Sequence, residues 1–127
     1  MLRVKLPHLD DWNDRRRVIS KLYTHELRDS EFILPKGPNW AHSVWHLFVI
    51  RTSYRDKLKS EFDKVGIGSL IHYPIPPHMQ KAYKDLQFKP ESFPLARQLA
   101  NEIISLPIGP HLNDQSVMKI INVIKNA

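Results

Sequence analysis

His72-Tyr73-Pro74-Ile75-Pro76-Pro77-His78 and Ser105-Leu106-Pro107-Ile108-Gly109-Pro110-His111 decide how the rest of this chain is read. Each follows an apolar, strand-like run, and each sets a histidine beyond a proline-fixed turn. Proline locks φ at about −65° and removes a backbone donor, so these segments are shaped loops rather than helix or central strand. Loops of that kind beside strand ends are where binding groups are commonly mounted. The plainer alternative is that the prolines merely end strands and the histidines are solvated.

Working outward, His42 to Arg51 is expected to be a strand. Val44, His46, Phe48 and Ile50 share one face and Trp45, Leu47 and Val49 the other, which suits a central strand covered on both sides. Ser69 to Tyr73 is a second expected strand, Ser105 to Ile108 a third strand or extended segment, and Phe32 to Leu34 a short one before the turn Pro35-Lys36-Gly37-Pro38. Helices are expected from Asp10 or Asp11, either a suitable N-cap, to about Leu27, and from Tyr54 to Val65, with Leu58, Phe62 and Val65 inward and Gly66 as the stop. Pro76 and Pro77 can open another helix to about Leu86. A further helix spans Phe93 to Ile104, with Leu95, Leu99 and Ile103 as its stripe. The last is capped at Asn113 and places Val117, Ile120, Ile121 and Ile124 at i, i+3, i+4 and i+7. The fold class expected is α+β, a small three- to four-stranded, mostly antiparallel sheet packed with helices.

Bulk properties fit one domain over residues 1–127, with 42% hydrophobic and 25% charged residues. No apolar run approaches the ~20 residues of a membrane span. The N-terminus lacks the apolar core of a secretory leader, and the absence of cysteine removes disulfides and thiolate metal sites; cytoplasmic location is the expectation. Net charge is +6, but basic and acidic residues interleave. Arg15-Arg16-Arg17 point in three directions on a helix, so they form no phosphate-reading stripe, and no nucleic-acid partner is expected; a solvated helix face or general attraction of an anionic ligand both remain. Zinc needs three or four converging ligands, and no metal-ligand spacing occurs. No Gly-x-Ser-x-Gly nucleophile elbow occurs either.

Together with Ser43-Val44-Trp45-His46-Leu47-Phe48-Val49-Ile50-Arg51, the opening Leu9 to Arg17 and the helical Phe93-Pro94-Leu95-Ala96, the two loops resemble one family. From about Leu2 to Ile124 the chain resembles the small C-terminal domain of the DegT-type, pyridoxal phosphate (PLP)-dependent nucleotide-sugar aminotransferases, a part of the fold-type I architecture. The resemblance implies amino transfer, typically from glutamate, onto a keto-sugar nucleotide in polysaccharide or amino-sugar assembly. It implies that residues 1–28 form the helix joining an N-terminal large domain upstream, that Met1 is an internal methionine used as a start or the edge of an excised piece, and that the intact enzyme is a homodimer. It implies substrate-binding roles for His72, Tyr73, His78 and His46. Tyr73 is equally readable as packing, and His46 as a buried histidine bonded to backbone. Trp40 and Trp45 are expected in the core rather than as a base-stacking platform.

In that family a lysine within Ser-Phe-x-x-x-Lys forms the internal aldimine. Ser53-Tyr54-Arg55-Asp56-Lys57 is its nearest counterpart, one residue short and at the start of a surface helix. The expectation is therefore that PLP belongs to the parent enzyme, that this chain alone holds no cofactor, and that it contributes no catalytic residue. The alternatives are a stand-alone nucleotide-sugar binding or interaction module, and one half of a split aminotransferase.

Overall fold

Asn113 sits in extended conformation and its Oδ1 accepts the Ser116 N–H at 2.8 Å, which starts helix α5 (Asp114–Lys125) where the sequence places it. The computed structural model describes residues 2–127, so the expectation attached to Met1 lies outside the described residues. Val117, Ile120, Ile121 and Ile124 of α5 are buried, and the helix packs on α2 (Leu9–Glu26) and α3 (Arg55–Lys64). The short α1 (Leu2–Lys5) and a 3-10 turn over Leu6–His8 lead into α2. Asp10 and Asp11 lie in the first turn of α2, where they complement the helix dipole, and no side chain caps it. α2 buries Ile19, Ser20 and Tyr23. α3 buries Leu58 and Phe62 and ends at Gly66, whose φ of +72° is the left-handed stop that glycine adopts without a Cβ clash. Val65, expected inward, is instead 42% exposed, because the helix closes before its side chain reaches the core.

The sheet consists of two antiparallel strands, β1 (Phe48–Arg51) and β2 (Ile103–Leu106), rather than the expected three or four. Phe48 pairs with Leu106 and Ile50 with Ile104, and these four side chains are buried. The remaining two expected strands contract to single antiparallel bridges on the outer edges, Ile33 with Arg51 and Leu70 with Ser105. Proline explains the contraction: Pro35 and Pro74 lack the N–H that a longer ladder would need.

Three other expectations change. The strand expected over His42 to Arg51 survives only in its last four residues, because Trp45 takes a left-handed conformation (φ +51°) that breaks extended pairing. Pro76 to Leu86 does not form one helix but two 3-10 pieces, Pro77–Met79 and Lys81–Leu86, parted by extended Gln80. Neither piece contains a buried residue, and a helix without a buried face has little to hold it. The helix over Phe93 to Ile104 is α4 (Pro94–Glu102); Ile103 begins β2, Leu95 is 62% exposed, and Ala100 is the buried contact.

Candidate functional site

The pairing of Phe48 with Leu106 sets the chain entering β1 and the chain leaving β2 at the same end of the sheet. His46 and Leu47 therefore face Pro107 to Leu112. The Leu70–Ser105 bridge brings Gly68 to His72 against the free edge of β2. These three segments enclose a cleft of about 470 Å³, to which His46, His72 and His111 all contribute. Its wall is otherwise apolar, apart from the hydroxyls of Ser69 and Ser105. The Ser69 Oγ is buried and has no hydrogen-bond partner among the described residues.

His72 is the best-anchored member. Its Nδ1 lies 2.8 Å from the Oγ of Ser105, which is only 5% exposed. His46 is exposed and outside the strand, which corrects the expectation that it lies within an apolar strand. His111, at the end of the second quoted loop, contributes to the cleft, while Asn113 caps α5. The His111 ring lies over Gly109, where a Cβ would sit 2.6 Å from His111 Cε1. Tyr73 does not line the cleft; it is 70% exposed, with its ring edge-on to His72 at 5.7 Å between centroids.

Helix α2 holds the 107–112 loop at both ends. The Tyr23 hydroxyl donates to the Pro107 carbonyl at 2.7 Å, and the Arg15 guanidinium donates to the Leu112 carbonyl at 2.6 and 3.0 Å and pairs with Asp114 at 2.8 Å. Burial pushes the Tyr23 phenol well above its ordinary value. Arg15 is thus tied to the loop, and Arg17 pairs with Asp14.

His78 is set apart from this cleft. It belongs to a second cavity of about 390 Å³ formed with Pro77, Tyr83, Leu86, Phe88 and Phe93, packs tilted against Phe93 with ring centroids 4.9 Å apart, and has Nε2 3.4 Å from the Pro90 carbonyl. Trp45 packs half-buried on Phe48 as expected, whereas Trp40 is 84% exposed and not in the core. Arg51 pairs with Glu102 at 2.7 Å. Its hydrogen bond, and then that of Gln98, holds the Glu102 carboxyl below its ordinary value. Lys57 donates to the Ala127 carbonyl. Among the described residues no group of three His, Asp or Glu is placed to hold a metal ion, and no helix is long and apolar enough to cross a membrane.

Ser105, which spacing offered only as a strand residue, and His111 are the site residues that sequence reasoning undervalued. The signal for both was present in the second quoted loop; what was missing was the sheet register that folds it against His72.

The sequence profile of the DegT/DnrJ/EryC1/StrS aminotransferase family matches residues 1–125. The chain is 49% identical over 126 residues to the erythromycin biosynthesis sensory transduction protein EryC1 of Saccharopolyspora erythraea, covering 98% of this chain and 34% of that protein. It is 40% identical over 124 residues to the dTDP-3-amino-3,6-dideoxy-alpha-D-galactopyranose transaminase of Aneurinibacillus thermoaerophilus, covering 98% and 34%. The chain spans about a third of the length of these curated relatives. The crystal structure of Streptomyces venezuelae DesV in complex with a ketimine intermediate superposes with a TM-score of 0.94 at 39% identity, over 98% of this chain and 34% of that one. The PLP form of Spr1654 from Streptococcus pneumoniae superposes at 0.87 and 28% identity, over 97% and 33%.

Proposed function

The chain belongs to the DegT/DnrJ/EryC1/StrS aminotransferase family, and from that membership we propose that it is the C-terminal small domain of a PLP-dependent aminotransferase acting on a nucleotide sugar. Its part in the reaction is to bind and orient the substrate. The observation that carries this reading is the convergence of His46, His72 and His111 on one cleft at the end of the sheet. Imidazoles and serine hydroxyls donate to and accept from sugar hydroxyl, carbonyl and phosphate oxygens, and the apolar wall suits the face of a deoxysugar. Tyr73 stands at the rim. His78 contributes only if the ligand extends into the second cavity.

The cleft does not fit PLP itself. Transamination requires an amine to form the Schiff base, and a carboxylate commonly partners the pyridine nitrogen. Neither a lysine nor a carboxylate lines this cleft, and Lys57, the nearest match by motif, is bonded to the Ala127 carbonyl. PLP is accordingly assigned to an N-terminal large domain joined through the segment that contains α2, and the intact enzyme to a homodimer.

Two measurements test the reading. Titration calorimetry of the chain with a dTDP-linked sugar is expected to show binding that His72→Ala weakens; in an intact relative the same change is expected to raise the substrate KM or lower turnover, and unchanged kinetics would overturn it. Mixing the purified chain with PLP, then reducing with borohydride and weighing the product, is expected to give no specific pyridoxyl adduct. A stoichiometric adduct on one lysine would place the Schiff-base residue in this chain.

A further inference from the structure

We propose that Ser105 is a positioning residue for His72, fixing the imidazole in its Nε2–H tautomer so that the cleft presents a hydrogen-bond donor to the substrate. This rests on the reading of the cleft as a sugar-nucleotide site. Ser105 lies at the centre of the register, opposite Val49 in β1 and bridged to Leu70 on its other side. Its backbone N–H donates to the Leu70 carbonyl at 2.8 Å, so its position is set from both edges. Ser105 is 5% exposed, and its Oγ has one partner among the described residues, His72 Nδ1 at 2.8 Å.

That single contact decides the tautomer. A buried hydroxyl whose proton has no acceptor is costly, and Nδ1 is the one acceptor within reach. If Nδ1 carried the proton, it would donate to Oγ and leave the serine O–H unsatisfied. If Nε2 carries it, the serine donates to Nδ1 and both groups are satisfied. Nε2, on the opposite edge of the ring, has no partner among the described residues and is left as a donor for a ligand acceptor. The ligand atom that fits is an oxygen without a proton to give, a sugar carbonyl or a diphosphate oxygen. A hydroxyl that must donate fits poorly.

The test is nitrogen-15 NMR of histidine-labelled chain at alkaline pH, where imidazole is neutral. The wild type is expected to show His72 in the Nε2–H form with Nδ1 shifted as a hydrogen-bond acceptor. Ser105→Ala is expected to move the Nδ1 resonance toward that of a solvated ring, and Ser105→Thr to restore it, while His78 and His25 stay in place as folding controls. An Nδ1–H form in the wild type, or identical His72 spectra in wild type and Ser105→Ala, would overturn the proposal. The wild-type spectrum decides the tautomer even if a variant misfolds. The same variants titrated with a dTDP-linked sugar separate the two readings. A tautomer effect without a change in sugar-nucleotide affinity leaves Ser105 as the anchor of His72 and overturns its role toward the substrate. No binding of the sugar nucleotide by wild type or variant alike counts against the function of the cleft instead.

Discussion

The His111 ring lies folded against Gly109 in the space a Cβ would take, and this makes Gly109 a handle on the cleft. In Gly109→Ala the new Cβ would meet the His111 ring at 2.6 Å, so the ring must leave. Because the His111 side chain is exposed, it can swing to solvent at a stability cost of roughly 1 kcal/mol or less. Thermal unfolding should therefore barely change while sugar-nucleotide binding weakens several-fold; unchanged affinity would remove His111 from the site. Tyr23 and Glu102 act through protonation. The Tyr23 phenol is raised above its ordinary 10.0, so it contributes stability below that value, which is lost as pH rises through its folded-state value. Tyr23→Phe should flatten the alkaline fall in denaturant midpoint, at a cost near neutrality of about 1–2 kcal/mol for the lost bond to Pro107. Glu102 runs the other way. Its carboxyl lies below the ordinary 4.5, so it stabilises above that value and the contribution is lost as pH falls through the folded-state value. Glu102→Gln should flatten the acid limb, and an unchanged acid limb would show that the Arg51 pair adds nothing.

At the scale of elements, α5 and α2 carry the fold and the cleft respectively. α5 was legible from the sequence because its cap and its 3.6-residue apolar period are both local properties. Ile121 is fully buried, and Ile121→Ala should cost about 2–5 kcal/mol, against roughly 1 kcal/mol for removing the Asn113 cap; equal losses by chemical denaturation would contradict the placement of the core. The strand before Arg51 was only partly legible. Alternating apolar residues from Val44 onward satisfy a two-faced strand, but Trp45 in a left-handed conformation and exposed Val44 show that the alternation exceeds the surface available to cover it. α2 reads as a solvated basic helix along Arg15 to Arg17, and it was long-range contact alone that turned Arg15 into the anchor of the Leu112 carbonyl.

At the scale of the molecule, the segment from Tyr73 to Leu95 leaves Ile75, Leu86, Phe88 and Phe93 exposed, and α1 exposes Leu2 and Val4. Leu86, Phe88 and Phe93 come together around one cavity, and an exposed apolar cluster of this kind marks a face that is normally covered. If the proposed large domain covers it, the chain by itself should self-associate as concentration rises. Sedimentation should show this, and Leu86→Ser with Phe88→Ser should suppress it without loss of secondary structure. A monomer at all concentrations would mean that the face has no such partner.

The sequence by itself determined the cap and apolar stripe of α5, the glycine stop after α3 and the two proline-shaped loops, because each depends on residues within a few positions of one another. It also carried the family, since the diagnostic segments lie in order along the chain. Only the tertiary structure decided the rest. The pairing of Phe48 with Leu106 and of Leu70 with Ser105 joins positions far apart in sequence, and it alone brings His46, His72 and His111 to one cleft while leaving His78 in another. Strand register and loop closure are long-range choices among many near-equal local alternatives, and the energy that selects one of them comes from burying Phe48, Ile50, Ile104 and Leu106 together.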